Sequence, residues 1–379
     1  MVRPVDAATV AAVFDPARLT LARESAAYSK RDLAEAIGRT PSAVTQYEAG
    51  LSRPSGPVID ACAAVLSVPI GFFATGRPRL QLDIGDAHFR SLRSARAAER
   101  RRALTMVELV WELTGQLTHH VRLPPLDLPD LTSSLTEPAA AARTLRAAWN
   151  MAPGPVPHMV RLLESRGLIV AFLDFSDSGR VDAFSTAAGG RPIIVLTTEK
   201  GTMLRTRFTA AHELAHLVLH TEVIPGDVAH ERQADAFAAE FLMPAAEIAS
   251  ELPTRIDLPA LLRLQQRWGT SVSALLYRCR ELGTLTEASY KRAMMKISRL
   301  GWRTREPGEE FPIERPALLA RAFELASTRG VTIPTFAEAL QLPPARVRAL
   351  FGMTDTRPLL RLVKNSSDTR TDHQHQTTF

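Results

Sequence analysis

Residues 208–220 read FTAAHELAHLVLH, an apolar run that carries three histidines and a carboxylate. A segment of this kind is either a helix with ordinary polar positions or a helix that holds a metal ion. On an α-helix, positions four apart differ by about 40° of rotation and roughly 6 Å of rise. His212 and His216 can therefore aim their rings at one ion, with Glu213 beside them. Phe208, Leu214, Ala215, Leu217, Val218 and Leu219 make the rest of the helix apolar, so the pair can sit on the floor of a cleft. Two imidazoles and a carboxylate in this order are how a zinc protease places two ligands and a general base. A bare His-Glu-x-x-His also arises by chance on amphipathic helices, so a third ligand must decide.

Four downstream residues compete for that place. His220 lies about 12 Å of rise beyond His212, too far to share an ion with both other histidines. The next helix offers His230, Glu231 and Glu240. Glu231 and Asp235 are four apart and share a face, while Glu240 falls opposite Glu231 and His230 is rotated away by about 100°. The reading adopted is Glu231 as ligand and Asp235 as the acceptor that fixes the tautomer of a ligating imidazole. The implied chemistry is hydrolysis assisted by zinc (Zn2+), with Glu213 moving the proton. His230 and Tyr290 are candidates for stabilising the oxyanion, and the strands ahead of the helix can present an edge to an extended peptide. His119, His120, His373 and His375 lack acidic partners at helical spacing and read as surface residues.

The two cysteines, Cys62 and Cys279, cannot build a disulfide framework or a thiolate cluster, which leaves nitrogen and oxygen to hold any metal. No apolar run approaches the roughly 20 residues of a membrane span, and the N-terminus lacks a secretory pattern. A cytoplasmic protein with no membrane partner is expected. With 379 residues, two or three domains are expected.

The net charge of +6 is uneven. Residues 1–76 are neutral, 77–102 carry eight arginines against three acids, 103–284 are net −4, and 285–379 are net +5. A basic connector of this kind suits a phosphate backbone, and it equally suits a solvated surface. Residues 16–76 read as short helices: PARLTLARESAA, then SKRDLAEAIG with Ser29 as N-cap, then RTPSAVTQYEAG with Thr40 as N-cap and Pro41 at the first position. The pair has helix-turn-helix length, with Gly38 at the turn. Ser42, Thr45 and Gln46 then face bases, Gln46 matching an adenine edge, and Lys30, Arg31, Arg39 and Arg53 hold phosphates. Thr40 stands at the same DNA-facing end.

Further along, a long helix is expected from about Leu104 to Arg122, followed by a Pro/Ser-rich linker. Two helices come next, then three strands, LIVAFLD, VDAFST and PIIVLT. The motif helix and ERQADAFAAEFLMP follow. From Leu258 to Ala349 the pattern is helical with a break at WRTREPGEEFP, and the last residues read as disordered. TFAEALQLPPARVRALFG has a second helix-turn-helix rhythm, read as an ordinary helical hairpin. The fold class is mainly α with a small β-sheet (α+β). Its parts are a DNA-binding five-helix bundle (1–76), an arginine-rich connector and helix (77–134), a peptidase domain (135–284), a helical C-terminal region (285–363) and a tail (364–379).

Two resemblances sharpen this. TAAHELAHLVLH followed by ERQADAFAAEFLMP resembles the paired signature of the ImmA/IrrE metallopeptidases, a gluzincin-like group, over residues 135–280. It implies His212, His216 and Glu231 as metal ligands, Glu213 as catalytic base, and proteolysis of a DNA-bound repressor. YSKRDLAEAIGRTPSAVTQYEAGLSRPS resembles the XRE (Cro-like) helix-turn-helix family, departing from it at Ser29-Lys30, where many members carry Thr-Gln. It implies double-stranded operator DNA as partner, and the small module implies a homodimer. The reading is a transcription regulator carrying a zinc endopeptidase that cuts a repressor or its own linker. Its rival is a regulator whose peptidase-like domain only senses a ligand or protein. A third reading is a peptidase whose bundle recruits substrate.

Overall fold

The computed structural model describes residues 6–353 apart from 78, 84, 86, 90–95, 135–136, 174–182, 198–201, 221–226, 304–305 and 308–310. The expected tail at 364–379, with His373 and His375, lies outside the described residues.

The first five helices are α1 (Ala7–Ala12), α2 (Pro16–Ser25), α3 (Lys30–Ala36), α4 (Pro41–Glu48) and α5 (Gly56–Leu66). Local chemistry sets their starts. Asp6, Asp15, Ser29 and Thr40 each accept a hydrogen bond from a backbone N–H in the first turn, and Pro16 and Pro41 occupy first positions that need no donor. Gly38 turns the chain between α3 and α4 at φ +63°, the left-handed region that costs glycine little. Leu19, Leu33, Val44, Ile59, Phe72 and Phe73 fill the centre of this bundle.

Strand β1 (His88–Phe89) lies inside the arginine-rich segment, where no strand was expected. Helix α6 (Ala97–Thr118) begins seven residues before the expected Leu104 and stops short of Arg122. The Glu99 carboxylate accepts from the Arg96 backbone N–H at 2.6 Å, so the chain is already helical through Arg100, Arg101 and Arg102, of which Arg101 is exposed and the other two half-buried. Arginine is a good helix former, and the apolar pattern sought for this helix appears only where it becomes buried.

Helix α6 is the spine of the molecule. It packs against α2 on one side and against α15 (Leu318–Ser327), α16 (Ile333–Leu340) and α17 (Pro344–Leu350) on another. Ala103, Leu104, Val107, Val110, Leu113 and Leu117 share a core with the bundle, these C-terminal helices and one sheet face. Arg18 of α2 and Glu112 of α6 form a buried ion pair, and Arg77 donates to the carbonyls of Phe72 and Leu340. Arg346 of α17 lies half-buried with a guanidinium nitrogen 3.8 Å from the Met106 sulfur, so α16 and α17 act as a packed hairpin.

After α7 (Pro138–Ala148) and α8 (Met159–Ser165) come β2 (Ile169–Leu173), β3 (Ala183–Thr186) and β4 (Ile193–Thr197). The sheet order is β1-β3-β4-β2, with β2 parallel to β4 and the other pairs antiparallel. The outer strands are thus β1 and β2, and β3 is paired on both sides. Ile169, Ala171, Phe184, Ile193 and Val195 face the core shared with α6, while Val170, Ala183, Ile194 and Leu196 face a second core. Burial on both faces explains why these strands read as continuous apolar runs rather than alternating ones.

The second core is built by α9 (Met203–Leu219), α10 (Val228–Leu242), α11 (Ala245–Ile248), α12 (Leu258–Trp268), α13 (Val272–Glu281) and α14 (Glu287–Arg299). The segment joining α14 to α15 is strapped to it. Glu314 pairs with the buried Arg207 of α9 and accepts from the Val160 N–H, and Glu164 accepts from the N–H groups of Ala317 and Leu318. Among the described residues, no helix is long and apolar enough to cross a membrane.

Candidate metal centre and nucleic-acid interface

Helices α9 and α10 pack side by side and bring three donor groups together. His212 Nε2 and His216 Nε2 are 3.1 Å apart, and oxygens of the Glu231 carboxylate lie 3.4 Å from the first and 3.6 Å from the second. Ligands at about 2.0–2.1 Å from a tetrahedral zinc would be about 3.3 Å apart. The three separations bracket that value. His212, Glu213 and His216 are buried, while Glu231 is about a third exposed.

Hydrogen bonds behind the imidazoles give each ring a definite tautomer. Asp235 Oδ1 lies 2.8 Å from His212 Nδ1, so that nitrogen donates and Nε2 keeps its lone pair. His216 Nδ1 lies 2.9 Å from His220 Nδ1, and His220 Nε2 lies 3.0 Å from Gln233 Oε1. The amide oxygen of Gln233 can only accept, so His220 donates from Nε2 and accepts from His216. The Nε2 atoms of His212 and His216 therefore turn lone pairs toward each other, an arrangement that a cation between them relieves. His220 stacks on His230, with ring centroids 4.1 Å apart.

Electrostatics point the same way. Burial lowers the pKa of His216 and takes His220 down to about 4, which keeps both rings neutral. Neutral imidazoles and an ionised carboxylate are the forms that bind a metal.

Glu213 follows His212 on α9 and is fully buried. Its Oε2 accepts a hydrogen bond from Ser185 Oγ of β3 at 2.8 Å. Of the other candidates, Glu240 pairs with Arg278 and Arg143 away from the centre, as its helical phase requires. Tyr290 lines a neighbouring cavity together with Asp235. Sequence reasoning missed Ser185, His220 and Gln233 as partners. The four-residue step from His216 to His220 was a usable signal for one of them; nothing local marks Ser185.

In the bundle, Arg31, Arg39, Thr40, Ser42, Thr45, Gln46 and Arg53 are exposed and Val44 is buried, so α4 turns a polar face outward. Three of these residues have local engagements: Arg53 donates to the Ala12 carbonyl at 3.0 Å, Thr45 donates to the Pro41 carbonyl at 3.0 Å, and Thr40 accepts from the Ala43 N–H at 3.2 Å. Lys30 lies 3.3 Å from Glu48, which also binds Arg23. The start of α6 stands beside this face. A cavity of about 880 Å³ is bounded by Ser29, Lys30 and Thr45 on one side and by Arg96, Arg101 and Arg102 on the other. Arg101 reaches Glu24 of α2 at 3.2 Å.

A helix-turn-helix bundle joined through α6 to a buried His-Glu-x-x-His helix defines a DNA-binding module with a peptidase-like domain. Comparison with protein families agrees on both parts. Residues 19–73 match the helix-turn-helix family, and residues 163–280 match the IrrE N-terminal-like domain. The chain is a fusion of an XRE-type helix-turn-helix and an ImmA/IrrE-type domain, the architecture of a transcription regulator with a peptidase-like part. No curated protein matches it.

Proposed function

We propose that this protein is a DNA-binding transcription regulator whose IrrE-like domain is a zinc-dependent endopeptidase, and that cleavage of a repressor or of its own chain controls gene expression. The observation that carries this is the convergence of His212, His216 and Glu231 at 3.1–3.6 Å, with Glu213 alongside. The donor set of two imidazoles and a carboxylate fits zinc, and those three residues would hold it. Bound zinc supplies Lewis-acid polarisation of the scissile carbonyl and acidifies a water. Glu213 takes the proton of the attacking water at its carboxylate and passes it to the leaving amine nitrogen. Ser185 restrains the rotation of that carboxylate. Asp235, and the His220–Gln233 pair, hold the Nδ1 protons of the two imidazoles in place.

In this reading residues 135–284 form the peptidase unit and 1–76 the DNA-reading unit, acting as a homodimer on operator DNA. Ser42, Thr45 and Gln46 meet base edges. Lys30, Arg31, Arg39, Thr40 and Arg53 meet phosphates, joined by Arg96 ahead of α6 and Arg101 within it. Cleavage in cis has its own support, because the two residues of β1 come from the connector and pair with Phe184 and Ser185. The rival sensor reading is favoured by α6 and the Glu314 strap, which tie the two units together without any chemistry.

The deciding experiment incubates the zinc-loaded full chain, and its Glu213→Gln variant, with repressors encoded by neighbouring genes. Mass spectrometry then follows both the repressors and the chain itself. New termini with wild type alone are expected. Intact proteins throughout, with operator binding unchanged, would leave the sensor.

A further inference from the structure

The sheet beside the metal centre is completed by a strand from outside the IrrE-like part of the chain. Strands β2, β3 and β4 lie within residues 163–280, whereas β1 belongs to the connector that follows the DNA-reading bundle. It runs antiparallel to β3, with His88 opposite Ser185 and Phe89 opposite Phe184. Ser185 is also the residue whose hydroxyl donates to the Glu213 carboxylate at 2.8 Å. The backbone of β1 is therefore one strand spacing, about 4.8 Å, from the strand that touches this carboxylate. Without β1 the order would be β3-β4-β2, and β3 would present a free row of N–H and C=O groups at that edge. The other edge, β2, is separated from β3 by β4. Ahead of the strand the connector is docked: Leu82 and Ala87 are buried in the core shared with α6, and the Leu82 N–H donates to Glu108 at 3.2 Å.

We propose that β1 is a resident competitor: the connector fills the edge of β3 on which an extended peptide would dock, and another peptide gains that edge only while β1 is away. As regulation, the proposal rests on the endopeptidase reading. An extended peptide is held by backbone hydrogen bonds to a strand edge, and antiparallel pairing of the kind β1 makes carries it past Ser185 and so past Glu213. Because the connector is part of the same chain, it competes at a high effective concentration that a dilute peptide does not match. Yet the strand has only two residues, so it leaves by local opening rather than by unfolding of the domain. The apparent affinity for a peptide falls by the fraction of time the edge is open, which makes the resting chain slow rather than inert. The connector also leads from the DNA-reading bundle into α6, so the two halves of the chain meet at this edge.

The test uses the full chain with Glu213→Gln, so that nothing is cut, and a fluorescein-labelled peptide with the sequence of residues 82–92. His88→Pro with Phe89→Pro removes the strand's own N–H groups. Fluorescence anisotropy should show this variant binding the peptide about tenfold or more tightly than the chain with β1 intact. Leu82→Ala, a milder change that loosens the anchor and keeps both strand residues, should give a smaller gain in the same direction. A peptide N-methylated at its His and Phe should not bind, because the contact is made by backbone. Successive amides of a strand point to opposite sides, so one of Phe184 and Ser185 donates toward β1, and its hydrogen exchange should quicken in the proline variant. Equal binding with β1 intact and broken, binding of the N-methylated peptide, no binding at millimolar peptide, or unchanged exchange at both amides would overturn the proposal. Labelled casein given to the zinc-loaded chain with Glu213 restored separates the two ideas. Cleavage at one rate with β1 intact or broken removes the competitor and keeps the peptidase, whereas tighter peptide binding without any cleavage keeps the competitor and removes the peptidase.

Discussion

Asp235 of α10 holds His212 of α9 through a 2.8 Å contact at Nδ1, on the side of the ring opposite Glu231. Removing such a partner frees the ring to rotate and to change tautomer. Asp235→Ala should weaken zinc binding on the order of 10- to 100-fold. His220→Ala should do the same through His216. A chelator competition measures both, and an affinity equal to wild type in either variant would argue that the partner does not orient its ligand. Glu231→Ala removes a ligand outright and should abolish stoichiometric metal.

The buried pair Arg18–Glu112 ties the DNA-reading bundle to α6. Glu112→Ala would take the carboxylate away from the fully buried Arg18 guanidinium, and should cost about 3–5 kcal/mol in urea denaturation. Replacing both by apolar residues, Arg18→Met with Glu112→Leu, should recover most of that loss. A double variant no more stable than the single one would mean that the charges do more than neutralise each other.

Glu108 contributes stability that is lost as pH rises toward neutrality, against an opposite contribution from the lowered pKa values of His216 and His220. Burial pushes this carboxyl up to about 7, against a hydrogen bond from the Leu82 N–H. The unfolded group titrates near 4.3, roughly, so between about 4.5 and 7 the folded chain binds more protons than the unfolded one. Its contribution is therefore fully present below that window and lost as pH climbs through it, on the order of 1–3 kcal/mol. Glu306 is raised to about 7, also by burial, and acts in the same direction. Glu108→Gln keeps the acceptor and removes the charge, and should make the dependence of stability on pH between about 5 and 8 less negative than in wild type. An unaltered slope would move the effect elsewhere.

Gly167 closes α8 at φ +82°, and a Cβ there would run into the backbone of Pro125 and Leu126. Gly167→Ala should destabilise by more than about 1 kcal/mol, since both the left-handed backbone and the close approach oppose it. Thermal unfolding of the variant provides the measure.

On DNA, Gln46→Ala should cost about 1–3 kcal/mol at one operator position. Arg101→Ala should weaken all sequences alike and lower the salt slope by about 1. A salt titration of operator binding separates the two, and a sequence-dependent effect of Arg101 would put it on a base instead.

Much of this was written in local sequence. The caps at Ser29 and Thr40, the turn at Gly38, and the four-residue step between His212 and His216 depend only on neighbours along one helix. Short-range hydrogen bonds and helical phase decide such features, and the sequence displays both. The same phase separated Glu231 and Asp235 from Glu240. What required the folded chain is everything that joins distant segments. Ser185 meets Glu213 because β3 lies beneath α9. Helix α6 begins early and becomes the spine because Arg18 and the C-terminal helices close around it. Tyr290 turns to the cavity beside Asp235 because α14 packs there. Packing of this kind is cooperative: each side chain takes its place from surfaces supplied by many others, and no window of sequence contains them.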